Sequence, residues 1–325
     1  MLSKDLGIDL GTTNILIHVK GKGIVLNEPA VVVIDKVNKK LLAVGTEDYM
    51  SIGGNPGDVE VIYPIKDGVI ADFEVTEAML RHFIDKIGIK GFLSKPRMLI
   101  SCPTNITQVE KKAIRQSAEK AGAKEVYIEE EPKVAAIGAG LNIFQPSGKM
   151  VIDIGGGTTD IAVMSMGEIV TAESIKTGGN AFSEAILQYV KKKYQLLIGS
   201  KTAEEIKMKI ATVYEGSRDD ELTIRGRGMV DGQPQTITVH SQEIQEALKE
   251  SMALIIHATK SVLERTSPEL SADIIEHGIL LTGGGALIHG LDRLLTEELN
   301  VSVTVADDPL NCVVRGTGIL LARMK

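Results

Sequence analysis

Ile152-Asp153-Ile154-Gly155-Gly156-Gly157-Thr158-Thr159-Asp160 is the stretch on which the fold turns. Val151-Ile152 enters it and Ile161-Ala162-Val163 leaves it. It therefore reads as a β-hairpin: an apolar strand, an acid, a glycine tip, a threonine pair and a second apolar strand. The same order occurs 144 residues earlier in Ile8-Asp9-Leu10-Gly11-Thr12-Thr13-Asn14, where Ile15-Leu16-Ile17 resumes the apolar character. The threonine pairs of the two hairpins are read as being in register. An offset that long is no solenoid period, which is about 20–50 residues, and it matches two related domains that each open with one hairpin. The length, 325 residues, also predicts two domains at roughly 100–200 residues each.

Outward from the second hairpin, Gly283-Gly284-Gly285 follows the apolar run Ile279 to Leu281. It precedes a helical spacing of Leu287, Leu291, Leu294 and Leu295, so strand, glycine turn and helix are expected here. Thr107 with Glu110 makes a capping box ahead of a helix through Ala113 to Ala121 that Gly122 closes, and Pro132 is a first-turn proline for Val134 to Ala139. Thr202 with Glu205 is read as a further capping box, opening a helix from Ala203 to Thr212. Strands alternating with helices predict an α/β protein with mixed sheets.

The chemistry expected of these tips is phosphate binding. Glycine lets the backbone approach an anion closely and converge its N–H groups on oxygen, so two facing tips would clamp a triphosphate. Thr12, Thr13 and Asn14 add side-chain donors to the first tip, and Gly156, Gly157 and Thr158 form the second. Asp9 and Asp153 would be repelled by phosphate directly but suit a Mg²⁺ ion held through water. The third glycine cluster offers backbone contact to a nucleoside through Gly284, Gly285, Ala286 and Leu287, although a turn for close helix packing accounts for it equally. Glu204 and Lys207, three apart, share a helix face, and a solvated ion pair explains them as well as a ligand does. Hydrolysis needs a group that orients water toward the γ-phosphate. Glu129, Glu130 and Glu131 all precede Pro132, and spacing alone does not choose among them.

Composition excludes several other classes. Lys and Arg total 36 against 43 Asp and Glu, a net charge of −7, which argues against a nucleic-acid footprint built on clustered cations. With no Trp, 5 Phe and 6 Tyr, no stacking platform for single strands is expected. Cys102 and Cys312 stand far apart, which fits a reducing cytoplasm. Neither a signal peptide nor an apolar run of about 20 residues is seen, so membrane contact is expected to be peripheral. Walker A, G-x-G-x-x-G after a strand, His/Cys metal spacing and the G-x-S-x-G elbow are all missing.

The set Asp9-Leu-Gly-Thr-Thr-Asn14, Glu130-Glu131-Pro132, Asp153-Ile-Gly-Gly-Gly-Thr-Thr-Asp160 and Thr282-Gly-Gly-Gly285 resembles the actin, sugar-kinase and heat-shock chaperone ATPase superfamily. Gly23-Ile-Val-Leu-Asn-Glu-Pro29, Lys66-Asp-Gly-Val-Ile-Ala-Asp72 and Lys133-Val-Ala-Ala-Ile-Gly-Ala139 narrow the resemblance to bacterial actin, the MreB family, and to its Mbl branch, over about residues 5 to 323. The resemblance implies an actin-like two-domain ATPase fold, a duplicated mixed sheet flanked by helices, with ATP and Mg²⁺ in the interdomain cleft. Domain I would be residues 1–145 plus 311–325, the last helix returning to it, and domain II residues 146–310. Cofactor contacts would be Thr12, Thr13, Asn14, Gly156, Gly157, Thr158, Glu204, Glu205, Ile206, Lys207, Gly284, Gly285, Ala286 and Leu287. Glu131 would orient the attacking water with help from Thr158, giving a weak ATPase coupled to polymerisation. Thr13 stands where the family commonly has Ala, and Asn180 where it usually has Asp, which lowers the charge near the phosphates by one.

The resemblance also implies self-association into filaments of paired protofilaments, at the inner face of the cytoplasmic membrane and with membrane proteins of the cell-elongation machinery. Its membrane loop falls on Phe92 and Leu93, flanked by Lys90, Lys95 and Arg97, each cation contributing on the order of 1 kcal/mol near an anionic leaflet. The function expected is organisation of cell-wall synthesis and maintenance of rod shape. The alternative is a soluble sugar kinase or heat-shock-type ATPase with the same cleft. The first needs a polar sugar pocket that the sequence does not reveal, and the second a peptide-binding domain for which 325 residues are expected to leave no room.

Overall fold

The computed structural model of the chain describes residues 5–45, 57–88 and 95–324. The chain forms two compact units, Met1–Asn142 with Leu310–Lys325, and Ile143–Pro309.

In the first unit, β1 (Leu6–Leu10), β2 (Asn14–Val19) and β3 (Gly23–Pro29) form an antiparallel meander. A small sheet of β4 (Val32–Asp35), β5 (Leu41–Val44) and β6 (Val59–Ile62) follows, then a two-residue pair, β7 (Ile65–Lys66) and β8 (Val69–Ile70). Asp67 and Gly68 connect β7 to β8 with φ of 50° and 74°, the double left-handed step that suits an Asp-Gly hairpin turn. Helix α1 (Phe73–Lys86) is capped by Asp72, and α2 (Gln108–Lys120) by the expected Thr107/Glu110 box. Between and after them run β9 (Arg97–Cys102) and β10 (Glu125–Glu130), and α3 (Glu131–Gly138) follows directly. Both β9 and β10 are parallel to β1, giving the order β3-β2-β1-β9-β10.

The second unit repeats that order. Strands β11 (Lys149–Ile154), β12 (Thr159–Ser165) and β13 (Glu168–Ile175) form the meander, and β17 (Ile279–Thr282) and β18 (Val303–Val305) extend it in parallel as β13-β12-β11-β17-β18. Its helices are α4 (Gly179–Tyr194), α5 (Ser200–Ile210), α6 (Ser241–Glu264), α7 (Pro268–His277) and α8 (Leu291–Leu299). A sheet of β14 (Leu196–Leu197), β15 (Glu221–Gly228) and β16 (Pro234–His240) packs with α5 and α6. Each main sheet anchors its own core, around Ile8, Ile17, Phe83 and Ile100 in one unit and Ile152, Ile161, Phe182 and Leu281 in the other.

The last helix, α9 (Cys312–Arg323), lies in the first unit against α3 and β1. Glycines make that contact possible. A Cβ on Gly138 would stand 1.8 Å from the Cys312 carbonyl, one on Gly316 1.9 Å from the Val134 carbonyl, and one on Gly7 2.0 Å from Thr317 Oγ1. Contacts that short are forbidden to any side chain, so the helix backbones meet directly.

Two local expectations are corrected. Helix α5 starts at Ser200 with Gly199 as its N-cap and no side-chain cap, and it ends at Ile210 rather than Thr212. The Thr202/Glu205 box does not form, because Thr202 already lies inside the first turn, where its N–H donates to the Gly199 carbonyl at 3.0 Å, and Glu205 turns to Lys209 at 2.7 Å. Leu287 is not on the face of the helix after the glycine cluster. It ends a 3₁₀ turn, Gly284–Leu287, and is 58% exposed, whereas Leu291 and Leu295 of α8 are buried.

Candidate functional site

Parallel strands bring their carboxyl ends to one edge of a sheet, and in α/β folds ligands bind at that edge. In the second unit the edge carries the tip between β11 and β12. Ile154 pairs with Thr159, which leaves Gly155, Gly156, Gly157 and Thr158 as the tip. Gly155 N–H closes it onto the Thr158 carbonyl at 2.9 Å. Among the described residues, the amides of Gly156, Gly157 and Thr158 donate to no backbone acceptor, leaving three adjacent N–H groups for an anion.

The start of α4 holds this tip from behind. Gly179 N–H donates to the Gly155 carbonyl at 2.9 Å and Asn180 N–H to the Gly156 carbonyl at 2.8 Å. A Cβ on Gly178 would lie 2.6 Å from the Gly155 carbonyl oxygen, so only glycine permits this approach. From α5, Lys207 Nζ donates to the Gly179 carbonyl at 2.8 Å and pairs with Glu204 at 2.7 Å, and Ser183 Oγ donates to the same Glu204 oxygen at 2.7 Å. Glu204 and Lys207 are therefore tied to the tip through one turn of α4. Glu205 is not: it pairs with Lys209 on the exposed side, where solvent screens the pair and it contributes little. Ile206 is fully buried in the core.

The end of β17 completes this half. Gly283 has φ 81°, and a Cβ there would stand 2.3 Å from the Ile154 carbonyl and 2.5 Å from Asp153 Oδ1, while one on Gly285 would meet Ile154 Cγ2 at 2.2 Å. The 3₁₀ turn thus sits on the root of the tip, with Gly285 and Ala286 buried and Gly284 and Leu287 exposed. Asp153 is 5% exposed.

In the first unit the equivalent tip joins Leu10 to Ile15. Counting from these paired residues, Thr12 and Thr13 correspond to Gly156 and Gly157, and Asn14 to Thr158. The threonine pairs are therefore two positions out of register, a correction to the sequence reading. Thr159 belongs to β12, buried, with its hydroxyl donating to the Thr177 carbonyl at 2.6 Å. Thr12 Oγ1 accepts from the Gly68 amide at 2.8 Å, Thr13 is exposed, and Asn14 Nδ2 donates to Asn27 Oδ1 at 3.0 Å. Asp9 accepts from Ser101 Oγ at 3.3 Å, and burial pushes its carboxyl up to about 6.

The three glutamates also separate. Strand β10 ends at the same edge as β1, and Glu129 lies beside Ser101 in the β9–β10 register. Glu129 pairs with Lys133 at 3.2 Å and Glu130 with Lys111 at 3.9 Å. Glu131 is the first residue of α3, followed by buried Pro132.

Phe92, Leu93 and Lys90 lie outside the described residues. Arg97, expected among the loop's cations, is engaged instead in a two-pronged ion pair with buried Asp5, Nη2 to Oδ2 at 2.6 Å and Nε to Oδ1 at 3.2 Å. Held on both prongs by buried Asp5, it is committed to the fold rather than to a lipid surface. Among the described residues no helix is long and apolar enough to cross a membrane, and no three His, Cys, Asp or Glu residues gather as a direct metal site. Acids placed behind amide-rich tips do fit a cation that touches them through water.

Gly178-Gly179-Asn180 falls near the phosphates as the resemblance implies, but three other residues of the site were not expected. Ser183 had a signal available, its place one turn into the helix that the glycine pair opens. Ser101 and Gly68 had none, because only strand register and tertiary contact bring them to Asp9 and Thr12.

The model of the MreB/Mbl protein family matches residues 3–325. The cell shape-determining protein Mbl of Bacillus subtilis (strain 168) is 64% identical over 324 residues, covering 100% of this chain and 97% of that protein. The cell shape-determining protein MreB of Escherichia coli (strain K12) is 51% identical, covering 98% and 93%. The crystal structure of MreB5 of Spiroplasma citri bound to AMPPNP matches with a TM-score of 0.94 at 38% identity, covering 100% of this chain and 97% of that one. The duplicated sheets with their flanking helices are the actin-like ATPase fold. The sequence match over the whole length and the repeated sheet order together place the chain in the MreB/Mbl family, on its Mbl branch.

Proposed function

We propose that the protein is an ATP-dependent, membrane-associated, filament-forming cytoskeletal protein that organises cell-wall synthesis and maintains rod shape. The observation that carries the nucleotide part is the second-unit tip, three adjacent amides without backbone acceptors among the described residues, on a glycine-only support. A related protein bound to AMPPNP supports it. Gly156, Gly157 and Thr158 would bind phosphate oxygens through their N–H groups. Glu204, Lys207 and the Gly284–Leu287 turn would contact the nucleoside side, and Thr12, Thr13 and Asn14 would contribute from the first unit. Asp9 and Asp153 would hold water around Mg²⁺, which when bound neutralises phosphate charge. Glu131 would orient the attacking water and Thr158 would assist, giving slow hydrolysis tied to polymer turnover.

Two relatives named as cell shape-determining proteins support the cytoskeletal role. Self-assembly is the step that separates this reading from a soluble kinase or chaperone. In sedimentation with ATP and Mg²⁺, polymer is expected to pellet above a threshold protein concentration. A supernatant that holds all the protein at every concentration, with and without lipid, would reject the filament reading.

A further inference from the structure

Two adjacent amides of the second tip are backed by lines of hydrogen bonds that end differently. The Gly156 N–H shares its peptide group with the Gly155 carbonyl, which accepts from the Gly179 N–H at 2.9 Å. That N–H shares its peptide group with the Gly178 carbonyl, which accepts from the Phe182 N–H at 3.1 Å, so this line runs on into the backbone bonds of α4. The Gly157 N–H shares its peptide group with the Gly156 carbonyl, which accepts from the Asn180 N–H at 2.8 Å. The Asn180 N–H shares its peptide group with the Gly179 carbonyl, and that oxygen accepts from Lys207 Nζ at 2.8 Å. The second line therefore reaches an ammonium after two peptide groups, where the first has met only backbone.

Lys207 is placed to act along this line. Its side chain is 12% exposed, against 46% for its partner Glu204, so little water screens it. A Cβ on Gly179 would lie 3.3 Å from Nζ, which puts the ammonium against the peptide group it polarises. Ser183 Oγ closes the same corner, 3.1 Å from the Gly179 carbonyl and 2.7 Å from Glu204. Asn180 enters through its backbone alone, and its side chain is exposed. A carbonyl that accepts a hydrogen bond draws electron density from its own peptide group and makes the attached N–H a stronger donor, so that bonds in a chain strengthen one another by about 10–30% each. A bond donated by an ammonium starts such a chain at roughly twice the strength of a neutral one.

We propose that Lys207 is a positioning residue for the phosphate site: through the Gly179–Asn180 and Gly156–Gly157 peptide groups it polarises the Gly157 amide and makes it a stronger anion donor than Gly156. This rests on the phosphate-binding reading of the tip, and it gives Lys207 a task apart from contact with the nucleoside.

The test uses the full chain without nucleotide, labelled with ¹⁵N at glycine and asparagine, because amide proton shifts read polarisation with no ligand present. In Lys207→Met the Asn180 and Gly157 protons are expected to move upfield, and Gly156 less than half as far. Equal movement of Gly156 and Gly157 overturns the proposal, since a charge acting through space reaches both, and so does an unmoved Gly157. Glu204→Gln keeps the lysine and removes the carboxylate that shares its charge, so there Gly157 is expected to move downfield; an upfield or absent shift likewise overturns the relay. If Lys207→Met fails to fold, Glu204→Gln decides. Tripolyphosphate, an anion with no nucleoside, is expected to bind Lys207→Met about two- to fourfold more weakly than the parent chain, the strengthening of one or two charge-assisted bonds. Its addition to the parent reports the underlying reading separately. Gly156 and Gly157 amides that ignore it reject the phosphate tip itself, whereas a responding parent with equal affinity in Lys207→Met rejects only the part given to Lys207.

Discussion

At the scale of single residues, environment divides roles among side chains that the sequence presents as equivalents. Glu129 and Glu130 each reach a lysine, while Glu131 opens α3 at the carboxyl edge of the sheet. Glu131→Ala is expected to slow phosphate release at least tenfold with nucleotide affinity little changed, checked by single-turnover phosphate assay beside nucleotide binding. An unchanged rate would move the role elsewhere. His18 gives a pH signature of a different kind. It packs on α9, where a Cβ on Gly318 would lie 2.6 Å from its ring, and its Nδ1 is buried without a hydrogen-bond partner among the described residues. Burial holds its pKa below the ordinary 6.5. The unfolded chain therefore takes up the proton first as pH falls, so this contribution is full above about 6.5 and is lost below it. Scans of Tm from pH 8 to pH 5 should show a decline that His18→Gln lessens.

At the scale of elements, glycine decides which helices can meet. Gly316→Ala would drive a Cβ into the Val134 carbonyl, 1.9 Å away. Overpacking typically costs about 1–3 kcal/mol, and a clash with backbone rather than a flexible side chain belongs at or above the top of that range. Gly199, the N-cap of α5, has open space around its Cβ position. Gly199→Ser should therefore be neutral or stabilising by a few tenths of a kcal/mol, because serine also caps well. Denaturant midpoints for the two variants check the contrast, and similar losses in both would show that the α3–α9 contact is not the cause. Thr202 and Glu205 have the spacing of a capping box, yet the chain enters α5 at Ser200, with Glu205 one turn before Lys209.

At the scale of the whole molecule, both units share one sheet order, and the tips occupy the same place in each. The membrane proposal is weakened at one point and left intact at another. Arg97 is committed to Asp5, which leaves Lys90 and Lys95 as the sequence cations beside Phe92 and Leu93. Many weak contacts on one filament still sum to useful avidity. Phe92→Ser with Leu93→Ser should cut co-flotation with anionic liposomes several-fold without altering nucleotide binding, and equal flotation of variant and parent would remove the loop from the proposal. Arg97→Ala, by contrast, should act through folding, lowering Tm because buried Asp5 loses its partner.

What the sequence by itself determined is the set of covalently local signals. Apolar runs, glycine tips and one capping box are written within a few residues of each other, and the 144-residue repeat is visible because both copies kept the same short order. Thus β1, β2, β11 and β12 and their tips were legible, as was the Thr107/Glu110 cap. Tertiary structure alone decided the register between distant strands. That register sets Ser101 beside Asp9 and Thr282 beside Asp153. It alone separated Glu204 and Lys207, tied to the tip, from Glu205 and Ile206 on the same helix. The physical reason is that side-chain direction and partner choice depend on which residues the packed sheets and helices bring within hydrogen-bond reach, and those residues lie tens to hundreds of positions away along the chain.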